Sequence, residues 1–124
     1  MPLAEEIVTS RYRITAYSSD SVTINEVVYR DSLVLSAGEM HSPWAVSSLD
    51  QVDAESLEPV IRLNPEVVLL GTGEKQCFPD AKIFALFGQR GVGLEVMDNG
   101  ALCRTFNILV AEDRVVVAAI ILGN

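Results

Sequence analysis

Six residues have types and spacing that could hold a small anion: Gly71, Thr72, Gly73, Asp98, Asn99 and Arg104. The glycine pair follows four aliphatics, Val67 to Leu70, at what reads as the carboxyl end of a strand, where open α/β sheets hold their ligands. The turn is not a P-loop, because no Gly-Lys-Ser/Thr follows, and Gln76 stands where a dinucleotide fingerprint needs its third glycine. What remains is geometry. Connections 71–79 and 98–100 should leave one sheet at the same edge, so two helix N-termini would aim unpaired N–H groups at one crevice. Arg104 lies one turn into the second helix, within reach of that crevice. The alternative is that the glycines only permit a tight bend and Arg104 pairs with an acidic neighbour.

Other chemistry-bearing residues lead less far. His41 and Trp44, the only His and the only Trp, flank Pro43 and suggest a partner-binding loop, with Trp44 as anchor and His41 as polar handle. Equally, Trp44 could plug one end of the core. A triad of Ser42, His41 and Asp50 or Asp98 can be written on paper, but no GxSxG elbow supports it. Cys103, near a helix start and beside Arg104, is either a thiol of depressed pKa or a buried core residue. One His and no paired cysteines give too few ligands for a transition metal. The acidic run Asp50, Asp53, Glu55 and Glu58 reads as a solvated helix face. No catalytic set, metal or cofactor is expected.

Composition narrows the class. At 124 residues the chain is of single-domain length, and 49% hydrophobic residues supply one core. A net charge of -8, with Lys75 and Lys82 the only lysines, argues against nucleic acid and against an anionic membrane surface. Mean hydropathy is high at +0.30, yet the longest apolar run, 115–122, is far short of the roughly 20 residues that span a bilayer. Cys77 and Cys103 read as reduced thiols. Glu5 and Glu6 speak against a signal or transit peptide, so a cytoplasmic location is expected, with the first ten residues as a loose leader.

The elements that must position these residues form one domain over 1–124, β-rich over about 11–46 and α/β over about 50–122. In the first part, Asn25-Glu26 predicts a two-residue hairpin between 22–24 and 27–29, and 33–35 is a further short strand. Residues 50–63 carry a helical apolar face interrupted by Pro59, which either opens a short second helix or kinks the first. Strands at 66–71, 93–97 and 114–122 alternate with helices beginning near Pro79 and after the N-cap candidate Asp98. The unbroken apolar runs indicate strands covered on both faces, a parallel βαβαβ unit. Edge strands of the hairpin layer leave self-association open.

The chain resembles, over nearly its whole length and most specifically from Gly93 to Ile121, the Mth-like domain family, which includes a mitochondrial respiratory complex I assembly factor. Glu95, Met97, Asp98, Cys103, Arg104, Thr105, Asn107, Glu112, Arg114, Ala118 and Ala119 match its pattern, as do the Gly71-Thr72-Gly73 turn and the Trp44 segment. Asn99 stands where Thr is usual, and Phe106 where Tyr is usual. The resemblance implies a three-layer α/β fold with a mixed central sheet and an N-terminal β-hairpin layer. It implies no firmly assigned reaction. The expected function is a non-catalytic protein-binding or assembly-factor-like role; the alternative is a small-anion-binding protein or modest enzyme at Gly71–Gly73 and Arg104.

Overall fold

The structure, a computed structural model, describes residues 11–122. The expected leader over the first ten residues lies outside them. Two sheets form. Strands β1 (Ile14–Ser18), β2 (Ser21–Ile24) and β3 (Val27–Tyr29) make an antiparallel sheet in that order. Strands β4 (Leu33–Leu35), β5 (Met40–His41), β6 (Val67–Gly71), β7 (Gly93–Met97) and β8 (Val116–Ile120) make a mixed sheet in the order β5-β4-β8-β6-β7.

The β2–β3 hairpin turns through Asn25 (φ 49°) and Glu26 (φ 73°), both left-handed as a two-residue primed turn requires. Asn25 supports the turn with its side chain, accepting from Arg13 N–H and donating to the Arg11 carbonyl. Strand β4 does not stay with the hairpins. Its three residues are fully buried, so it needs cover on both faces and takes a place beside β8 in the large sheet.

Strands β6 and β8 show why an apolar run without alternation marks a buried strand. Val67, Leu69, Val116, Ala118 and Ile120 point to one side, where the small sheet and helix α3 (Asn99–Ala111) cover them. Val68, Leu70, Val117, Ala119 and Ile121 point to the other, under Trp44 and helices α1 (Glu58–Ile61) and α2 (Ala81–Gln89). The parallel set β6-α2-β7-α3-β8 is the predicted βαβαβ unit.

Of the two alternatives for 50–63, a helix kinked at Pro59 or a short second helix opened by it, the structure takes the second: α1 begins at Glu58 with Pro59 in its first turn, and the earlier part is only a 3-10 turn at Leu49–Gln51. Pro59 is the reason, since it fits only the first turn of a helix. Between the pieces, Asp53 and Ser56 exchange backbone-to-side-chain hydrogen bonds at 2.9 and 2.8 Å and close a turn of their own. The entry to β4 is also tied to the segment after β8: Ser32 Oγ accepts from Leu122 N–H at 2.7 Å and donates to its carbonyl at 3.1 Å, all buried.

Candidate functional site

The carboxyl ends of β6 and β7 open onto a hollow of about 330 Å3, bordered by Gly73, Glu74, Asp98, Asn99 and Gly100 on one side and by Tyr17, Ser18 and Ser19 of the β1–β2 turn on the other. The ends of β6 and β7, the glycine turn and the start of α3 meet here; the start of α2, the second helix terminus expected at this crevice, is not among the residues that border it. What each side chain does there differs from the expectation.

Asp98 caps α3, its carboxylate accepting from Ala101 N–H at 2.8 Å. Asn99 is 5% exposed and spends both ends of its amide inside the fold. Its Oδ1 accepts from Gly73 N–H at 3.2 Å, and its Nδ2 donates to the Ile121 carbonyl at 3.0 Å. Its own N–H donates to the Gly73 carbonyl at 2.8 Å. Gly73 holds φ 104°, open only to glycine without strain. At Gly71 a Cβ would run into Asn99 Oδ1 and sit 3.0 Å from Leu102 Cδ1. Thr72 Oγ1 donates to the Lys75 carbonyl at 2.6 Å and accepts from Cys77 N–H at 3.1 Å, which shapes the outgoing loop.

Arg104 is not brought to the hollow. It follows the buried Cys103 by about 100° of helical turn and lies exposed on the outer side of α3. Three of the backbone donors at this helix start are also engaged within the fold. In the first turn of α3 the N–H of Asn99 goes to Gly73, that of Ala101 to the Asp98 carboxylate and that of Leu102 to the Asp98 carbonyl. A carboxylate already occupies the positive end of the helix, and Glu74 adds a second negative group to the rim.

Tyr17 and Gly100 were not legible as partners. A Cβ at Gly100 would lie 2.7 Å from the Tyr17 hydroxyl, so the phenol rests against bare helix backbone. Asn107, another residue with no local signal, accepts from Ile14 N–H at 3.1 Å and donates to its carbonyl at 2.7 Å, closing the free edge of β1.

Trp44 is 4% exposed, with Nε1 donating to the Ser56 carbonyl at 2.7 Å, so it plugs the core and is not an outward anchor. His41 is exposed on β5 and, with the Trp44 edge, Gln51, Asp53 and Glu55, borders a second hollow of about 340 Å3. Cys103 is buried, and desolvation raises its thiol pKa from 9.0 to about 11, the opposite of an activated thiol.

Residues 14–121 match the family described as "Protein of unknown function (DUF498/DUF598)". The chain belongs to the DUF498/DUF598 family. A relative covering nearly the same length is the "13 kDa major membrane protein" of Francisella tularensis, 30% identical over 98% of this chain and 99% of its own. "NADH dehydrogenase [ubiquinone] 1 alpha subcomplex assembly factor 3" of Xenopus tropicalis is 35% identical over 87% of this chain, which spans only 60% of that relative. Among solved structures, a Xanthomonas campestris protein is 40% identical, with a TM-score of 0.87 over 99% of this chain and 93% of its own. A Bordetella pertussis protein described as a Mth938-like domain is 27% identical, with a TM-score of 0.79 over 92% of this chain and 87% of its own. The Mth-like likeness and the three-layer α/β architecture are thereby established. Among the described residues of this DUF498/DUF598 chain, no helix is long and apolar enough to cross a membrane.

Proposed function

We propose that this chain is a non-catalytic, assembly-factor-like domain that works in the cytoplasm and takes a protein partner as an added strand on β3. The open edge of β3 carries the reading. In a two-residue hairpin the closing pair, here Ile24 and Val27, faces inward, so Val28 turns its N–H and carbonyl away from β2. Val27 and Val28 are each 52% exposed, an apolar edge of the kind that proteins usually blunt. The opposite edge, β1, is closed at Ile14 by Asn107. On the large sheet, the Val96 carbonyl of edge strand β7 is covered by Gln76 at 2.9 Å. Main-chain pairing would supply affinity, and the valines would supply apolar contact. The kinship with an assembly factor points the same way. Against the anion alternative stands the carboxylate already seated at the start of α3.

Affinity purification of the tagged chain from its native host tests the proposal. The wild type should bring down a stoichiometric protein that Val28→Lys loses while its circular dichroism stays unchanged. Failure to recover such a protein, or equal recovery by the variant, would overturn it. In the same preparation, phosphate and carboxylates should leave the melting temperature unmoved.

A further inference from the structure

Asn99 is followed by Gly100, and of the asparagines in the chain it alone precedes a glycine. That dipeptide is the one most open to deamidation. The reaction needs the backbone nitrogen of the following residue to reach the asparagine Cγ, and glycine, having no Cβ, leaves the backbone free to make the approach. Both residues serve the fold. The Asn99 amide accepts from the Gly73 N–H and donates to the Ile121 carbonyl, each bond buried. Gly100 leaves the room that the Tyr17 phenol fills, since a Cβ there would lie 2.7 Å from the hydroxyl. A reactive pair therefore stands at the start of α3, beside the ends of β6 and β8.

The same contacts hold the pair unreactive. Asn99 is 5% exposed and is the first residue of α3, so its backbone is helical. Closing an imide ring turns ψ at Asn99 away from the helical value and pulls Cγ off Gly73 and Ile121, which opens the first turn of α3. We propose that Asn99–Gly100 is a deamidation site, closed in the folded protein and open in the unfolded chain, whose reaction bars the return to the native fold. In the opened chain the Gly100 nitrogen gives up its proton and bonds to Asn99 Cγ. The Cγ–Nδ2 bond breaks, and ammonia leaves with a proton. Water then opens the imide at either carbonyl, giving aspartate or isoaspartate. Neither product fits. Aspartate puts an oxygen where Nδ2 donated, so two acceptors face each other at the buried Ile121 carbonyl. Isoaspartate runs the main chain through the side-chain methylene, which lengthens the backbone between the Asp98 cap and its partner Ala101.

Peptide mass spectrometry of the full chain, held at neutral pH either folded or in guanidinium chloride, tests this. The exchange of the side-chain NH2 for OH should accumulate at Asn99 about a hundredfold or more faster in the denatured arm, because a buried, bonded group reacts only in the opened fraction. Within that arm Asn99 should outpace Asn25 and Asn107, which precede Glu26 and Ile108. On return to native buffer, chains modified at position 99 should show a lower urea midpoint or fail to regain the native circular dichroism, while unmodified chains from the same sample recover both. Asn99→Asp, made directly, should shift the midpoint in the same direction. Comparable rates in the two arms would overturn the inference. So would a faster site elsewhere in the denatured chain, or full recovery by the modified molecules.

Discussion

Asn99 and Gly73 are joined twice: the Gly73 N–H donates to Asn99 Oδ1, and the Asn99 N–H donates to the Gly73 carbonyl. With its third bond, to the Ile121 carbonyl, Asn99 fastens the end of β6, the start of α3 and the exit of β8 at one buried point. Its neighbour Gly71 is small because the amide lies where a Cβ would go.

Replacing Asn99 by alanine strands a buried N–H and a buried carbonyl, at about 1–3 kcal/mol for each unsatisfied group. The expected loss is roughly 2–4 kcal/mol, read from the urea midpoint at constant slope. Gly71→Ala should cost about 1–3 kcal/mol by overpacking. The double variant should cost less than the sum, because alanine at 99 removes the obstructing oxygen. Strict additivity would show that the two positions are not in contact.

Asn107→Ala should lower stability by about 1–2 kcal/mol, the net worth of its two bonds to Ile14. Hydrogen exchange localises the effect. The Ile14 amide should lose protection well before the amides of β6, whereas uniform acceleration across both sheets would contradict a local clasp.

Cys103 supplies a pH dependence. Its folded pKa lies near 11 and its unfolded value near 9.0, so between those values the native state keeps a proton that the unfolded chain has lost. Stability therefore falls as pH rises through that window, by at most about 1.4 kcal/mol per unit. Below pH 8 the thiol contributes no slope. Cys103→Ala should flatten the alkaline limb in a urea series. At pH 8, iodoacetamide should label the exposed Cys77 and spare Cys103 in the folded protein; labelling of both at one rate would refute the burial assignment.

The residues that announced themselves in the sequence were those whose environment is local or repetitive. Val67 to Leu70 carry no alternation because both faces are covered, and Asp98 caps a helix using only atoms three residues away. Asn99 gave no such sign: its partners, Gly73 and Ile121, lie just past β6 and β8, 26 and 22 positions distant. The outward placement of Arg104 was implicit in the period that buries Leu102, Cys103 and Phe106, yet its charge suggested a ligand. Residues 49–57 looked helical because Val52 and Leu57 are buried there. Turn bonds between Asp53 and Ser56, together with Pro59, hold them in place without a continuous helix.

Strand β8 is last in sequence and stands in the middle of the large sheet, with β4 on one side and β6 on the other. A growing chain can form the early hairpins and the β6-α2-β7 unit, but these remain separate pieces until residues 116–120 arrive to join them. The large sheet is thus completed only by its last strand. Until then the apolar flanks of β4 and β6, which β8 covers in the finished sheet, stay bare.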